Sequence, residues 1–390
     1  KDKELGGMGR RIRFTIEGGD VGAYVRGLIR EVYADLGIQV YTKAELEDVS
    51  GYVGNFSSRI RTGNGRRIRT IGHGVTIVAT GAEEFRPATF LYGEDPRVST
   101  LLELEDVMSA HPESFRECSA LVMILCVGSR DRERPYCSRV CCAQAVKDAL
   151  ELKTIQPEME ITVLYRDMRT YGFREDYYRE AADRGVVFIR YDPDDGPEVE
   201  AVEEEGRSLL RVTVKEPVLG QRLMIDADRV ALAAATIPAA GNRTLSQLLK
   251  VPLTEDGFFM EAHMKLRPVD FATDGIFMAG LAHGPKFMDE TIAQARAAAS
   301  RAMTILAKTE IMAGGTICAV NEQRCTGCGV CQGICPFHAI EVAPDVQKAV
   351  IHEALCKGCG LCVSSCRSGA LDIKGFSEEQ TLCLIEAAAG

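Results

Sequence analysis

The sequence predicts an α/β protein that ends in a small α+β module, and three observations carry that expectation. Strand-like apolar runs alternate with helical periodicity from residue 75 to about residue 307, the pattern of βαβ units. The longest apolar run, Leu121 to Val127, has the composition of a strand covered on both faces. Beyond residue 317 the composition changes abruptly. Ten of the 15 cysteines in these 390 residues fall between Cys318 and Cys383.

Taken in order, the periodicity places a helix at Val21–Leu36 and strands around Gly51–Ile60 and Gly65–Ile71. Val75–Ala82 reads as a buried strand broken by Gly81. A second unit follows, with strand Ala120–Val127, helix Val140–Leu152, strand Ile161–Tyr165, helix Tyr177–Asp183 and strand Val186–Tyr191. Glu198–Val214 reads as a hairpin, and Arg229–Ala235 as a last buried strand. A strand at Ile276–Ala279 and an Ala-rich helix at Glu290–Ala307 return to the first unit's style, and Gly314-Gly315 marks a linker. The expected division is therefore 1–117, 118–240, 241–312 and 313–390.

Composition narrows the function. Acidic residues outnumber basic ones by ten, which argues against non-specific nucleic-acid binding. No apolar run approaches the roughly 18–20 residues of a membrane span. Residues 1–30 are charged and Gly-rich, without the apolar core of a secretory signal. Five cysteines lie between Cys118 and Cys142, ten between Cys318 and Cys383, and the 175 residues between have none. Such clustering fits thiolates converging on a metal centre in a reducing, cytoplasmic setting better than a secreted disulfide framework.

Residues 325–336 read CTGCGVCQGICP and residues 356–366 read CKGCGLCVSSC, each C-x2-C-x2-C-x3-C. Three thiolates at this spacing wrap one iron–sulfur cube, and the fourth is carried to the other cube. The assignment is Cys325, Cys328, Cys331 and Cys366 to one [4Fe–4S] cluster, and Cys356, Cys359, Cys362 and Cys335 to the other. Zinc prefers ligands in separated pairs, not a run of three plus one. Over residues 318–375 the pattern resembles bacterial two-cluster ferredoxins, with Arg367 where a proline is usual.

A second cluster, CVGSRDRERPYCSRVCC at 126–142, sits where a strand meets a helix. Cys137 and Cys141, spaced i and i+4, are expected on one helical face, with Cys142 joining them only if the helix start is irregular. Spacing alone leaves open a third cluster, a redox disulfide, a reactive thiol or packing cysteines. The segment also lacks the G-x-G-x-x-G of a nicotinamide loop, which weakens any pyridine-nucleotide reading.

Glu4 followed by Gly6-Gly7 looks like the end of a second strand in a dinucleotide-binding unit, the acidic residue reaching ribose hydroxyls. The strand and glycine loop that should precede it are absent, so the sequence reads as starting inside a flavin domain, an N-terminally incomplete fragment. Val78–Gly81 and Asp274–Gly280 look like the remaining FAD fingerprints of thioredoxin-reductase-like flavoproteins, although Leu281 stands where many carry Asp. That likeness implies a thioredoxin-reductase-like FAD fold with two Rossmann-like units, followed by an α+β two-[4Fe–4S] ferredoxin domain.

GYVGNF (51–56), ATGAEEFRP (79–87), CVGSR…YCSRVCC (126–142), YRDMRTYG (165–172) and GLAHGPKFMDETIAQARAAA (280–299) together resemble the A subunit of heterodisulfide reductases. The resemblance implies an FAD-bearing iron–sulfur subunit of a cytoplasmic electron-transfer complex in anaerobes, whose flavin bifurcates electrons in the methanogen enzyme. It implies cluster ligation by Cys126, Cys137, Cys141 and Cys142. It implies cofactor contacts at Glu4, Gly6, Gly7, Thr80, Gly81, Asp274, Gly280, Gly284, Lys286 and Gln294, with Lys286 a cation that stabilises reduced flavin. The implied partners are the other subunits of such a complex, a hydrogenase- or formate-dehydrogenase-type donor, and ferredoxin, in a homodimer of the complex. Two rivals stand beside it: a self-contained NAD(P)H-dependent reductase like the glutamate synthase small subunit, and a ferredoxin-like carrier on a flavin-free scaffold. Cys118, Cys318 and Cys383 are left as lone thiols. His73, His263 and His338 are given ordinary polar roles, and His283 stands out in the flavin-side loop. The basic run Arg59–Arg69 reads as an exposed hairpin face, or as a dock for an acidic redox partner.

Overall fold

The computed structural model describes residues 1–390 except 64, 66, 205, 219, 312–315, 354 and 390. The expected Gly314-Gly315 linker lies outside the described residues, as do Asn64 and Arg66 of the basic run. The chain divides into two compact units. The first comprises Lys1–Val49, Ser58–Ile71 and Ile77–Arg301; the second comprises Ser50–Ser57, Gly72–Thr76 and Ala302–Gly390.

Helix α1 (Val21–Ala34) starts where Asp20 accepts the Ala23 N–H at 2.7 Å, an N-cap that satisfies one orphan donor. Strands β1 (Glu45–Tyr52), β2 (Asn55–Thr62) and β3 (Arg67–His73) form a sheet in that order. Arg59 and Arg61 of the basic run pair with Glu47, so part of its charge is compensated locally. The expected long buried strand at Val75–Ala82 is much shorter: β4 is only Thr76–Val78. Val78 is buried while Ile77 is 42% exposed, because a single strand, introduced below, flanks β4 among the described residues.

After β5 (Ala82–Glu84) comes the main sheet of the first unit, β6 (Val98–Thr100), β7 (Ala120–Val127), β8 (Glu160–Tyr165), β9 (Val187–Arg190) and β13 (Arg229–Ala234). Its order is β6-β13-β7-β8-β9, all pairs parallel. Helices α2 (Leu101–Ala110), α3 (Cys141–Ile155) and α4 (Arg174–Asp183) fill the crossovers. Thr100 and Glu103 close a reciprocal capping box at the start of α2. The other face carries an antiparallel sheet of β10 (Glu198–Glu204), β11 (Arg207–Glu216) and β12 (Gln221–Ala227), one strand more than the expected hairpin.

The apolar run of β7 is explained by these two layers. Leu121, Met123 and Leu125 pack with residues of α2 and α3. Val122 and Ile124 pack with Leu210, Val212 and Val214 of β11. At about 1.5–3 kcal/mol for each large side chain buried, the strand is the unit's main apolar anchor.

Strand β14 (Thr236–Pro238) pairs with β5, helix α5 (Asn242–Leu249) follows, and β15 (Ile276–Met278) pairs with β4. Helix α6 spans Met288–Leu306. The second unit contains β16 (Cys318–Val320), α7 (Val330–Ile334), β17 (Ile340–Ala343), β18 (Lys348–Ile351), α8 (Leu361–Ser364), β19 (Leu371–Ile373) and α9 (Glu378–Ala389). Two antiparallel ribbons, β16 with β19 and β17 with β18, frame it. No helix among the described residues is long and apolar enough to cross a membrane.

Candidate functional site

The second unit encloses two hollows. One is lined by Cys335, Cys356, Cys359 and Cys362, with Cys318 beside them. The other is lined by Cys325, Cys328, Cys331 and Cys366. Each hollow therefore gathers three thiols from one motif and the fourth from the other, the division that the spacing predicts. Gly327 and Gly358 hold positive φ, and a Cβ on either would lie 2.2 Å from a backbone carbonyl oxygen, so only glycine lets the loops close in. Backbone N–H groups aim at the sulfurs: Ala349 at Cys325 (3.4 Å), Ala339 at Cys335 (3.4 Å) and Ala370 at Cys366 (3.3 Å).

Among the described residues no three His, Cys, Asp or Glu side chains are gathered so as to hold a single metal ion. A lone zinc needs all its sulfurs about 2.3 Å from one point, whereas a cube takes thiolates at its separated corners. Thiols spread around a hollow and met by N–H donors fit the cube. Burial raises Cys331 and Cys362 above the usual thiol range, and raises Cys318 further, with the neighbouring Cys362 adding to it.

The first unit brings three of its four candidate thiols together. Cys126, one residue before the end of β7, has φ +63°, a left-handed backbone where the pairing with β13 shifts register near the sheet's carboxyl edge. It shares a hydrogen bond with Cys141, which holds its pKa down at about 6 against the opposing effect of burial. Cys141 moves the other way, raised by its hydrogen bonds with Cys126 and Cys142 and by complete burial. Cys142 is lowered by the Cys141 contact, and its Sγ also lies 3.7 Å from the Asp167 carbonyl oxygen. Cys137 is placed differently from expectation. Helix α3 begins at Cys141, so Cys137 is in the preceding loop and shares no helical face; its Sγ accepts the Arg139 N–H at 3.3 Å. Cys118 is a buried thiol pushed up to about 11 by burial, and Cys383 is exposed on α9.

An open cavity of about 510 Å³ lies in the same unit, where the parallel sheet ends. Its walls include Ala234 to Thr236 after β13, the start of α3 from Val140 to Lys147, and the turn from Lys286 into α6. Of the ten expected cofactor contacts, Lys286 lines this cavity. Its ammonium donates to the Gly280 and Gly284 carbonyls at 2.8 and 3.0 Å, and burial lowers its pKa to about 8. Gln294 accepts the Gly280 N–H at 2.8 Å and meets His283 Nδ1 at 2.9 Å, holding the turn from behind. Burial, helped by the Lys286 charge, lowers the His283 pKa. Thr80 donates to Asn242 at 3.1 Å, while Gly6 and Gly81 occupy positive-φ turns. Asp274 lies 3.5 Å from Arg267, Glu4 pairs with Arg10, and Gly7 opens the short helical turn Gly7–Arg10.

The cavity also exposes a group that the sequence reading missed. Lys147 Nζ lies 2.7 Å from buried Glu105, 3.6 Å from Asp148 and 3.1 Å from the Phe14 carbonyl. Gln144 donates to Glu105 at 2.9 Å. Asp148 is fully buried, and burial and the Glu105 charge raise its pKa well above the usual carboxylic value. The signal was a Lys-Asp pair within the Ala- and Val-rich stretch of α3. Arg139 joins this wall to the cysteine loop, donating to Glu290, Tyr171 and the Pro285 carbonyl at 2.8, 2.7 and 3.0 Å.

Comparison with known proteins follows from this geometry. Residues 324–370 match the 4Fe-4S dicluster domain. Over 331 residues the chain is 40% identical to the A subunit of the H2:CoB–CoM heterodisulfide,ferredoxin reductase of Methanothermobacter marburgensis, covering 81% of this chain and 49% of that protein. Over 264 residues it is 42% identical to the A subunit of the ferredoxin:CoB–CoM heterodisulfide reductase of Methanosarcina acetivorans, covering 67% and 32%. The chain belongs to the family of heterodisulfide reductase A subunits. It spans about half the length of the first relatives of this family that it matches. Thioredoxin reductase of Lactococcus lactis superimposes with a TM-score of 0.52 at 17% identity, covering 79% of this chain and 89% of that one. The first unit of this member of the heterodisulfide reductase family thus has a thioredoxin-reductase-like fold, and the second carries the 4Fe-4S dicluster domain.

Proposed function

We propose that this chain is the flavin- and iron–sulfur-bearing electron-transfer oxidoreductase subunit of a heterodisulfide-reductase-type complex. The observation that carries the reading is the pair of hollows, each walled by three thiols of one motif and one of the other. In it, Cys325, Cys328, Cys331 and Cys366 hold one [4Fe–4S] cluster and Cys356, Cys359, Cys362 and Cys335 the second. Cys126, Cys137, Cys141 and Cys142 hold a third. FAD would be held in the first unit, where Lys286 lines the cavity. When bound, the flavin supplies a two-electron couple and the clusters one-electron couples.

The chain's own residues set the conditions for that exchange. Lys286 places a cation on the cavity wall, fixed by two carbonyls. Lys147 and Glu105 form a buried ion pair on the cavity lining, and the backbone N–H groups stabilise charge on the sulfurs. The relatives' names include H2, formate and ferredoxin. Accordingly, the proposed partners are the complex's other subunits, a hydrogenase- or formate-dehydrogenase-type donor and ferredoxin, in a homodimeric assembly.

Anaerobic purification with iron, sulfide and FAD quantitation tests the reading. About twelve irons and one flavin per chain are expected. Absence of flavin refutes the flavoprotein assignment, and about eight irons remove the third cluster. Rapid bleaching of the flavin by NADH or NADPH, with no other protein present, would favour the self-contained reductase.

A further inference from the structure

The two hollows of the C-terminal module are built from largely equivalent parts. Gly327 packs against the Gln347 carbonyl in one, and Gly358 against the Thr316 carbonyl in the other. Two residues beyond each carbonyl, a backbone N–H donates to a motif sulfur: Ala349 to Cys325 at 3.4 Å, Cys318 to Cys356 at 3.3 Å. The crossing thiols are matched as well, Cys366 by Ala370 and Cys335 by Ala339. The equivalence fails at two places: the Ser368 hydroxyl lies 3.5 Å from Cys366 Sγ, where Phe337 stands two residues after Cys335, and the residues two beyond the carbonyls differ in side chain. Where one hollow has the methyl group of Ala349, the other has the thiol of Cys318.

That thiol is 2% exposed, packed with Ile340, Leu371 and Ile373, and its sulfur lies 3.6 Å from Cys362 Sγ. We propose that Cys318 is a positioning residue whose S–H donates to the Cys362 thiolate, making the cluster at Cys356, Cys359, Cys362 and Cys335 more easily reduced than it would be without this donor. Once Cys362 is a ligand it has no proton to give, so the donor across this contact is Cys318. A donor on a ligand sulfur stabilises the more negative, reduced cluster over the oxidised one, and burial keeps water from competing. A weak S–H donor moves the balance by on the order of tenfold, about 59 mV for a one-electron couple.

The inference rests on reading both hollows as [4Fe–4S] sites, and its test separates the two. The anaerobically purified chain is titrated electrochemically with EPR detection, alongside iron and sulfide counts. Cys318→Ala is expected to keep full iron and to make one potential more negative by about tenfold in the reduced-to-oxidised ratio, leaving the others unmoved. Cys318→Ser, which retains a donor, is expected to restore part of the shift, and Ala349→Cys to move the other module cluster positive. Unmoved potentials, equal shifts in both module clusters, or iron lost from Cys318→Ala overturn the tuning role. A wild-type protein without clusters overturns the functional reading and this inference with it.

Discussion

Replacing Lys147 by Met removes the cation from a buried group whose geometry sets the cost. The ammonium is 8% exposed and the Glu105 side chain 0%, so the substitution leaves a buried carboxylate without its ion pair. Breaking a buried pair from one side costs about 3–5 kcal/mol. Glu105 retains the Arg13 N–H at 3.0 Å and the Gln144 amide at 2.9 Å, and can take up a proton, which puts the loss at about 3 kcal/mol. The double variant Lys147→Met/Glu105→Gln removes both charges and should recover at least about 1 kcal/mol relative to additivity. Urea unfolding followed by far-UV circular dichroism measures both, since the chain has no Trp. A loss under about 1 kcal/mol in the single variant, or strict additivity in the double, refutes the picture of a tightly coupled buried pair.

Three further outcomes are open to measurement. Asp148 ionises well above its ordinary 3.8, so its contribution to stability is complete below that pH and is lost as pH rises through the folded value. Asp148→Asn should therefore gain stability over wild type at pH 8 compared with pH 4, and equal urea midpoints at both would refute it. The potential of bound flavin should inflect near pH 8, more positive on the acid side where Lys286 is charged, and Lys286→Met should abolish the inflection in a spectroelectrochemical titration. Gly358→Ala should lose iron, because its Cβ meets the Thr316 carbonyl at 2.2 Å. Gly329→Ala, with positive φ but open space, should cost about 1–2 kcal/mol and keep its clusters in iron assays.

Local signals were the legible ones. The crossing of Cys335 and Cys366 followed from three-residue spacing, and β7 from an unbroken apolar run, since both reflect short stretches of backbone. The i, i+4 argument misplaced Cys137 because it assumed a helix start that Val140, in helical φ/ψ without a capping side chain, does not provide until Cys141. The Glu105–Lys147 pair joins residues 42 apart, and β12 is added through a second strand pairing, so neither is encoded in a local pattern. The length of β4 depends on which strands flank it, which its own sequence does not carry.

Because each motif lends its last cysteine to the opposite hollow, neither site can be completed by its own loop. In the proposed ligation the two are interlocked like clasped hands: metal entering either one would engage Cys335 or Cys366 and so hold the loop that carries the other three thiols. Assembly of the module is then a single event, and so is its dismantling. Oxidative loss of one cluster frees a ligand arm of its neighbour, and damaged molecules should shed iron in steps of about eight, not four.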